Sequence, residues 1–347
     1  MALDSKNDDA DGHLSFTGNG QYLTLGGYAT TEGAAYPVTA SVPRTIVRVD
    51  GSGNVATASF NSIYSGQTIN AVTSVDGNSF FLAGNAGSLS TSIGGLYYVP
   101  SLASTTPVNV SQTQSGTKSD GYRNARIINN QLYIFTASQG SFVNRGSYIM
   151  TINGGLPVAA TNTASIANPF IVDTEGSKTD SYGNTADDNT TGKQYPKTDA
   201  ACFDTDHDGK YDLAYSTGGK EDLEKWVLNG VNWIRQPTLD APLVGGSVVN
   251  NEINAIDAVA VPGGIELFLS NDFGVWKFTD TGGTGGFVSP DISSGTDSNV
   301  RHYLTTSYFI TPGANEQFRG IAVTVPEPMS LALLAAISGL SVRRRRA

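Results

Sequence analysis

Short runs of alternating apolar and polar residues, cut by Gly, Asn and Asp turns, dominate this chain. A period of two turns one face of a β-strand inwards and the other outwards, and helix formers never dominate a long window before the C-terminal tail. One unit recurs. A polar turn leads into a strand ending near Gly or Ser: NGQYLTLGGY (19–28), GNSFFLAGN (77–85), NNQLYIFTAS (129–138), KYDLAYSTG (210–218) and GGIELFLSND (263–272). Each is followed by a hairpin whose first strand is aromatic or β-branched: RTIVRVDGSGNVATAS (44–59), GGLYYVPSLASTTPVNV (94–110), GSYIMTINGGLPVAAT (146–161), EKWVLNGVNWIRQ (224–236) and FGVWKFTDTGG (273–283).

These units lie about 50 residues apart, a period that predicts an all-β fold, a β-propeller of six or seven blades. The third gap is longer and holds the polar insert 173–199. The innermost strand of each blade is the segment before the polar turn, such as AVTSVDG (71–77) and NARIINN (124–130). A lone four-stranded blade cannot bury both of its faces, so blades must stack in a ring; a β-sandwich or β-helix built from the same hairpins is the alternative. Near the end, QFRGIAVTV (317–325) reads as an innermost strand with nothing after it except the tail. The opening MALDSKNDDADG is polar and strand-poor, so ring closure is expected to lack its N-terminal strands. Residues 1–11 then form a disordered start to a chain whose true beginning, with a signal peptide, lies upstream; the alternative is a genuine start in a non-functional relic. Residues 12–325 are the propeller-like domain and 326–347 the tail.

Charge narrows the partners. The chain carries −10, and −14 without its last nineteen residues, which hold four Arg and no acid. An acidic surface without a basic stripe repels phosphates, which excludes nucleic acid. Cys202 is the one cysteine, so there is no intrachain disulfide, and it reads as a small buried apolar side chain rather than a nucleophile.

The sharpest chemical motif is CFDTDHDGKYDLAYST (202–217). Asp204, Asp206 and Asp208 alternate, Gly209 allows a sharp turn, and Asp212 follows four residues later. Hard oxygen ligands at this spacing suit a structural Ca²⁺, with the Lys210 carbonyl as a further ligand. An EF-hand would need Glu where Tyr215 stands, and the flanks read as strands. Asp204–Leu213 instead resembles the D-x-D-x-D-G-x-x-D-L calcium loop of FG-GAP and VCBS propeller repeats, families that carry several copies where this chain has one. His13, His207 and His302 share no zinc-like spacing and read as surface or packing residues. Glu252, Asp257, Glu266 and Asp272 are the acids from which a glycosidase or lyase pair would be drawn, although acids in β-turns are ordinary. Trp226, Trp233 and Trp276 read as packing between blades, and GNAGSLSTSIGG (84–95) precedes a strand, so it is a loop rather than a phosphate cradle.

The tail VPEPMSLALLAAISGLSVRRRRA (325–347) combines two prolines, an apolar stretch Met329–Val342 and four terminal arginines. About fourteen apolar residues fall short of the roughly twenty of an ideal spanning helix, but the arginines can snorkel and hold that end in the cytoplasm. These three ordered parts resemble the PEP-CTERM sorting tail of Gram-negative bacteria. The resemblance implies a short transmembrane helix and recognition of Pro326, Glu327 and Pro328 by an exosortase, a membrane cysteine protease. It also makes Arg343, Arg344, Arg345 and Arg346 the membrane anchor. The body, in GQYLTLGGY, RVDGSGNVATAS and FRGIAV, resembles exported propeller-like proteins that carry such tails. The expected protein is therefore exported, anchored transiently in the inner membrane and sorted to the cell surface. It is a non-enzymatic binding or structural propeller, with exopolysaccharide or envelope components as partners. The alternative is a secreted polysaccharide-active hydrolase or lyase on the same scaffold.

Overall fold

A computed structural model of the chain describes residues 12–31, 38–39, 41–85, 95–110, 121–128, 130–137, 147–151, 155–159, 169–173, 197–218, 222–230, 232–236, 239–240, 243–244, 247–248, 253–271, 274–290, 292–294, 302–304, 309–311 and 320–323. Strands β1 (Leu14–Phe16), β2 (Tyr22–Tyr28), β3 (Arg44–Asp50) and β4 (Val55–Phe60) form an antiparallel meander. A second is built from β5 (Ile69–Thr73), β6 (Phe80–Gly84), β7 (Gly95–Val99) and β8 (Val108–Asn109). A third follows in β9 (Gly121–Ile128), β10 (Gln131–Ala137), β11 (Ser147–Thr151) and β12 (Pro169–Asp173). The fourth is β13 (Lys197–Phe203), β14 (Leu213–Gly218), β15 (Asp222–Asn229) and β16 (Asn232–Arg235).

Strand β17 (Leu239–Asp240) then pairs with the start of β15, and β18 (Leu243–Val244) with β19 (Ser247–Val248) makes a small hairpin. A fifth meander contains β20 (Ala255–Val261), β21 (Gly264–Asn271) and β22 (Gly274–Asp280). Among the described residues its fourth position holds one bridge, with Val275 N–H donating to Ile310 O at 2.9 Å and Phe309 N–H to Val275 O at 2.7 Å. Strands β23 (Ile292–Ser294) and β24 (His302–Leu304) return to the fourth sheet, where β24 runs parallel to β17.

Alternation decides how the meanders stack. In β6, Phe80 and Leu82 pack with Tyr28, Ile46 and Phe60 of the first blade, while Phe81 and Ala83 pack with Tyr122, Leu132 and Ile134 of the third. In β10 the partners switch again: Leu132 and Ile134 face the second blade, and Tyr133 and Phe135 meet Ala214 and Trp226 of the fourth. In β14, Leu213 and Tyr215 face Leu267, Trp276 and Phe278 of the fifth. Each central strand is thus buried on both sides, as the wholly buried sequence FFLAG of β6 requires. Four interblade cores result, and burying each Leu, Ile or Phe in them contributes about 1.5–3 kcal/mol.

The innermost strands β1, β5, β9, β13 and β20 are neighbours in that order. Between β20 and β1 lies the extended segment 320–323, which touches both ends of the series but joins no ladder.

This is a β-propeller arrangement, as the repeat predicts, and among the described residues there is no helix. The blade count differs from the expected six or seven: the described residues make four complete four-stranded blades and a fifth of three strands and a bridge. A period alone counts recurring strands, and it cannot tell how many of them complete a four-stranded blade. The third hairpin also differs. Strand β11 pairs with Pro169–Asp173, and the described residues 155–159 belong to no strand. The insert 173–199 surrenders both ends, Asp173 to β12 and Lys197–Asp199 to β13. Residues 1–11, the insert's centre and the tail lie outside the described residues.

Candidate functional site

The turn between the first and second strands of a blade is two residues in the third and fifth blades, five in the first and six in the second. In the fourth blade it grows to nine, Asp204–Asp212. Its backbone is bent by Gly209 at φ 89° and His207 at φ 62°, left-handed conformations that Gly adopts freely and His uncommonly. Carboxylate oxygens of Asp204, Asp206 and Asp208 lie within 4.8 Å of one another. They are ordered by the loop's own amides. Gly209 N–H donates to Asp204 Oδ2 at 2.8 Å, Asp208 N–H to Asp204 Oδ1 at 3.1 Å, and Lys210 N–H to Asp208 Oδ1 at 2.8 Å. Slight desolvation opposes ionisation of Asp204, but the Gly209 and Asp208 amides outweigh it and hold the carboxyl below its ordinary value.

Asp212, expected as a further ligand, sits at the loop's entrance. Its Oδ1 accepts the Thr205 N–H at 2.8 Å and its Oδ2 the Thr205 hydroxyl, so it pins the loop's entrance. The three alternating aspartates form the acidic face, with Asp206 and Asp208 exposed and Asp204 partly buried, and three such carboxylates suit a hard cation better than each other. His207 is exposed within the loop.

A second charged constellation sits where the innermost strands converge. Asn70, Asn124, Asp199 and Asn254 are all buried, and each is followed by alanine. A register shift frees the chain at or beside this point in β5, β9 and β13. The side chains reach to the next blade. Asn70 Nδ2 donates to Tyr122 O at 2.7 Å and Asn124 Nδ2 to Asp199 Oδ1 at 2.9 Å, while Asp199 Oδ2 accepts the Ile256 N–H at 3.2 Å.

Onto this belt Arg126 adds a charge. Its Nε lies 2.7 Å from Asp199 Oδ1 and one terminal nitrogen donates to Asp199 Oδ2 at 2.9 Å and to Ile256 O at 3.0 Å. The other terminal nitrogen lies 3.6 Å from Asp257 Oδ1. Arg126 therefore spans from the third blade to the fifth. Burial pushes the Asp199 carboxyl up to about 7, against the pull of Arg126 and of the Ile256 amide. Burial likewise pushes the nearby Cys202 thiol up to about 12, so it is an inert, partly buried side chain.

Of the acids read as candidates for polysaccharide chemistry, Asp257 and Glu266 are among the described residues, and each already has a partner. Asp257 belongs to the Arg126 cluster, and its Oδ1 and Oδ2 already accept the Ala258 and Val323 amides at 3.0 and 2.6 Å. Glu266 lies on β21, paired with Lys277 at 2.7 Å. Glu252 and Asp272 lie outside the described residues, as do Pro326, Glu327, Pro328 and Arg343–Arg346. Trp226 and Trp276 are buried between blades, as packing predicts, and His13 is buried beside β5.

The Asn/Asp–Ala belt was legible in the chain. Asn70-Ala71-Val72, Asn124-Ala125-Arg126, Asp199-Ala200-Ala201 and Asn254-Ala255-Ile256 recur on or beside four of the five innermost strands, β5, β9, β13 and β20. The two departures, Arg for an apolar residue and Asp for Asn, are the two halves of the ion pair.

No family model matches this sequence, and no curated protein sequence is similar to it. Three solved structures are similar in chain course. The β-propeller domain of Cps50 (Swd1) from Myceliophteria thermophila is 9% identical at a TM-score of 0.38, over 80% of this chain and 85% of that one. The exo-β-1,3-galactanase 1,3Gal43A from Clostridium thermocellum is 10% identical at 0.39, over 88% and 69%. Dihydro-heme d1 dehydrogenase NirN is 11% identical at 0.38, over 83% of this chain and 49% of that one, so this chain spans about half its length.

Proposed function

We propose that the protein is an exported, surface-sorted propeller with a non-enzymatic binding or structural role towards exopolysaccharide or envelope components. Its fourth-blade loop binds a structural Ca²⁺ through Asp204, Asp206 and Asp208, and its tail, 326–347, is the address read by an exosortase. One observation supports the non-enzymatic reading above the others. The carboxylates gathered at the axis, Asp199 and Asp257, are taken up by Arg126 and backbone amides. A glycosidic acid–base pair needs two carboxyls facing a substrate, whereas Asp199 is buried with both oxygens held by partners.

The test is to incubate the purified chain with exopolysaccharide and follow both co-sedimentation and release of reducing ends. Retention without release is the expected result, and sustained release of reducing ends overturns the reading. Sorting is tested by fractionating cells that express the chain with and without residues 326–347. Loss of surface exposure on removing the tail is expected; equal exposure of both forms refutes the address.

A further inference from the structure

We infer that residues 320–323 are a strap that holds the propeller's inner ring shut, tied to the fifth blade by Asp257 and wedged against the first by Gly320. Five innermost strands lie side by side, and their series would end with β20 and β1 apart. The strap fills that interval. At one end, a β-carbon on Gly320 would stand 2.6 Å from Gly12 O and 2.7 Å from Leu14 N, closer than real side chains come to backbone. At this position glycine is required by space, since the strap lies directly on the entry to β1. At the other end, Val323 N–H donates to Asp257 Oδ2 at 2.6 Å.

Asp257 is in turn held in place. Arg126 approaches its Oδ1 from the third blade, and the same guanidinium is clamped by Asp199 from the fourth. The strap's anchor thus depends on one charged cluster drawn from three blades. The strap itself has no ladder hydrogen bonds and its residues are only partly buried. The four other junctions of the series are sealed by apolar cores of many side chains. Local opening proceeds where buried contacts are fewest, so the ring opens at the strap before any other junction.

Amide exchange on the full chain, read by mass spectrometry, tests this with three variants. Asp257→Ala removes the acceptor of the Val323 amide, Asp257→Asn keeps an oxygen acceptor without the charge, and Gly320→Ala attacks the opposite end. Asp257→Ala and Gly320→Ala are each expected to speed exchange in peptides covering 12–16 and 320–323 by about tenfold or more, with peptides from β6, β7, β14 and β15 unchanged. Asp257→Asn is expected to fall between parent and alanine. Unchanged exchange at 320–323 in both Asp257→Ala and Gly320→Ala overturns the strap. So does equal acceleration throughout the domain, which makes these residues general stabilisers rather than a local closure.

Discussion

Replacing Arg126 with methionine isolates the charge at the centre of the belt, because Met keeps most of the apolar stem and removes the guanidinium. Asp199, 1% exposed, then keeps only the Asn124, Ala200 and Ile256 donors. Removing one partner of a buried pair costs about 3–5 kcal/mol when the remaining charge has no escape. Asp199 has one, since it can take a proton. Its folded carboxyl is already pushed up to about 7 by burial, against an unfolded value near 3.9. A folded pKa above the unfolded one means the native state binds the extra proton, so this group's contribution to stability falls as pH rises from about 4 to about 7 and is level above that.

Without the pull of Arg126 the folded pKa rises further, and in the variant the decline continues beyond pH 7. The parent–variant gap is therefore small near pH 5.5 and widens by about 1.4 kcal/mol per pH unit above 7, towards the 3–5 kcal/mol limit. The other groups facing the cluster do not blur this. The Cys202 thiol and the Tyr133 hydroxyl, each pushed up to about 12, and Tyr211, raised further, stay neutral, and Asp257 keeps contact with solvent at 18% side-chain exposure. Urea unfolding at pH 5.5 and 8.5, followed by the fluorescence of the buried Trp226 and Trp276, measures the gap. Adding Asp199→Asn to Arg126→Met removes the orphaned charge and is expected to recover most of the loss at pH 8.5. A gap of equal size at both pH values, or a double variant less stable than the single one at pH 8.5, refutes the reasoning.

Two further outcomes follow from the same geometry. Millimolar Ca²⁺ is expected to raise the melting temperature of the parent by a few degrees relative to excess chelator, in line with ligand stabilisation of the native state, and Asp206→Asn to abolish the shift; equal melting with and without Ca²⁺ removes calcium from the loop. Lys225 and Asp280 form a wholly buried pair at 2.7 Å, with the Tyr215 hydroxyl also donating to Asp280 at 2.7 Å, so Lys225→Met is expected to cost about 3 kcal/mol in urea unfolding, and a cost below about 1 kcal/mol shows that the remaining donors suffice.

The propeller was legible because its cause is local. Continuous apolar runs such as FFLAG and LYIF must bury both faces, and a turn every few residues leaves the meander as the way to do it. The Asp204–Asp208 loop was legible for the same reason, since its geometry lies within a few residues. Spacing alone did not show that Thr205 folds back to donate to the Asp212 carboxylate. The blade count was misjudged because outer strands contribute little pattern, as the two-residue β8 and the single bridge at Ile310 show. The charged belt was overlooked because its members stand 54 and 75 residues apart along the chain and meet only through ring closure.

That belt also explains why the charge sits where it does. An Asn at the start of an innermost strand can satisfy a neighbour's carbonyl, as Asn70 does with Tyr122, without carrying charge into the core. Exchanging Asn for Asp at position 199 would leave a buried carboxylate, which costs several kcal/mol unless it is paired. Arg126 enters two residues after the preceding Asn, on the strand beside it, and the pair becomes tolerable together where either alone is not. The gain is reach. A guanidinium extends across the axis to Asp257, which an Asn in the same register could not do, and Asp257 is the residue that holds Val323. The two departures from the repeat thus lie on the path that joins three blades to the last described segment of the chain, at the junction where the described residues form no apolar core.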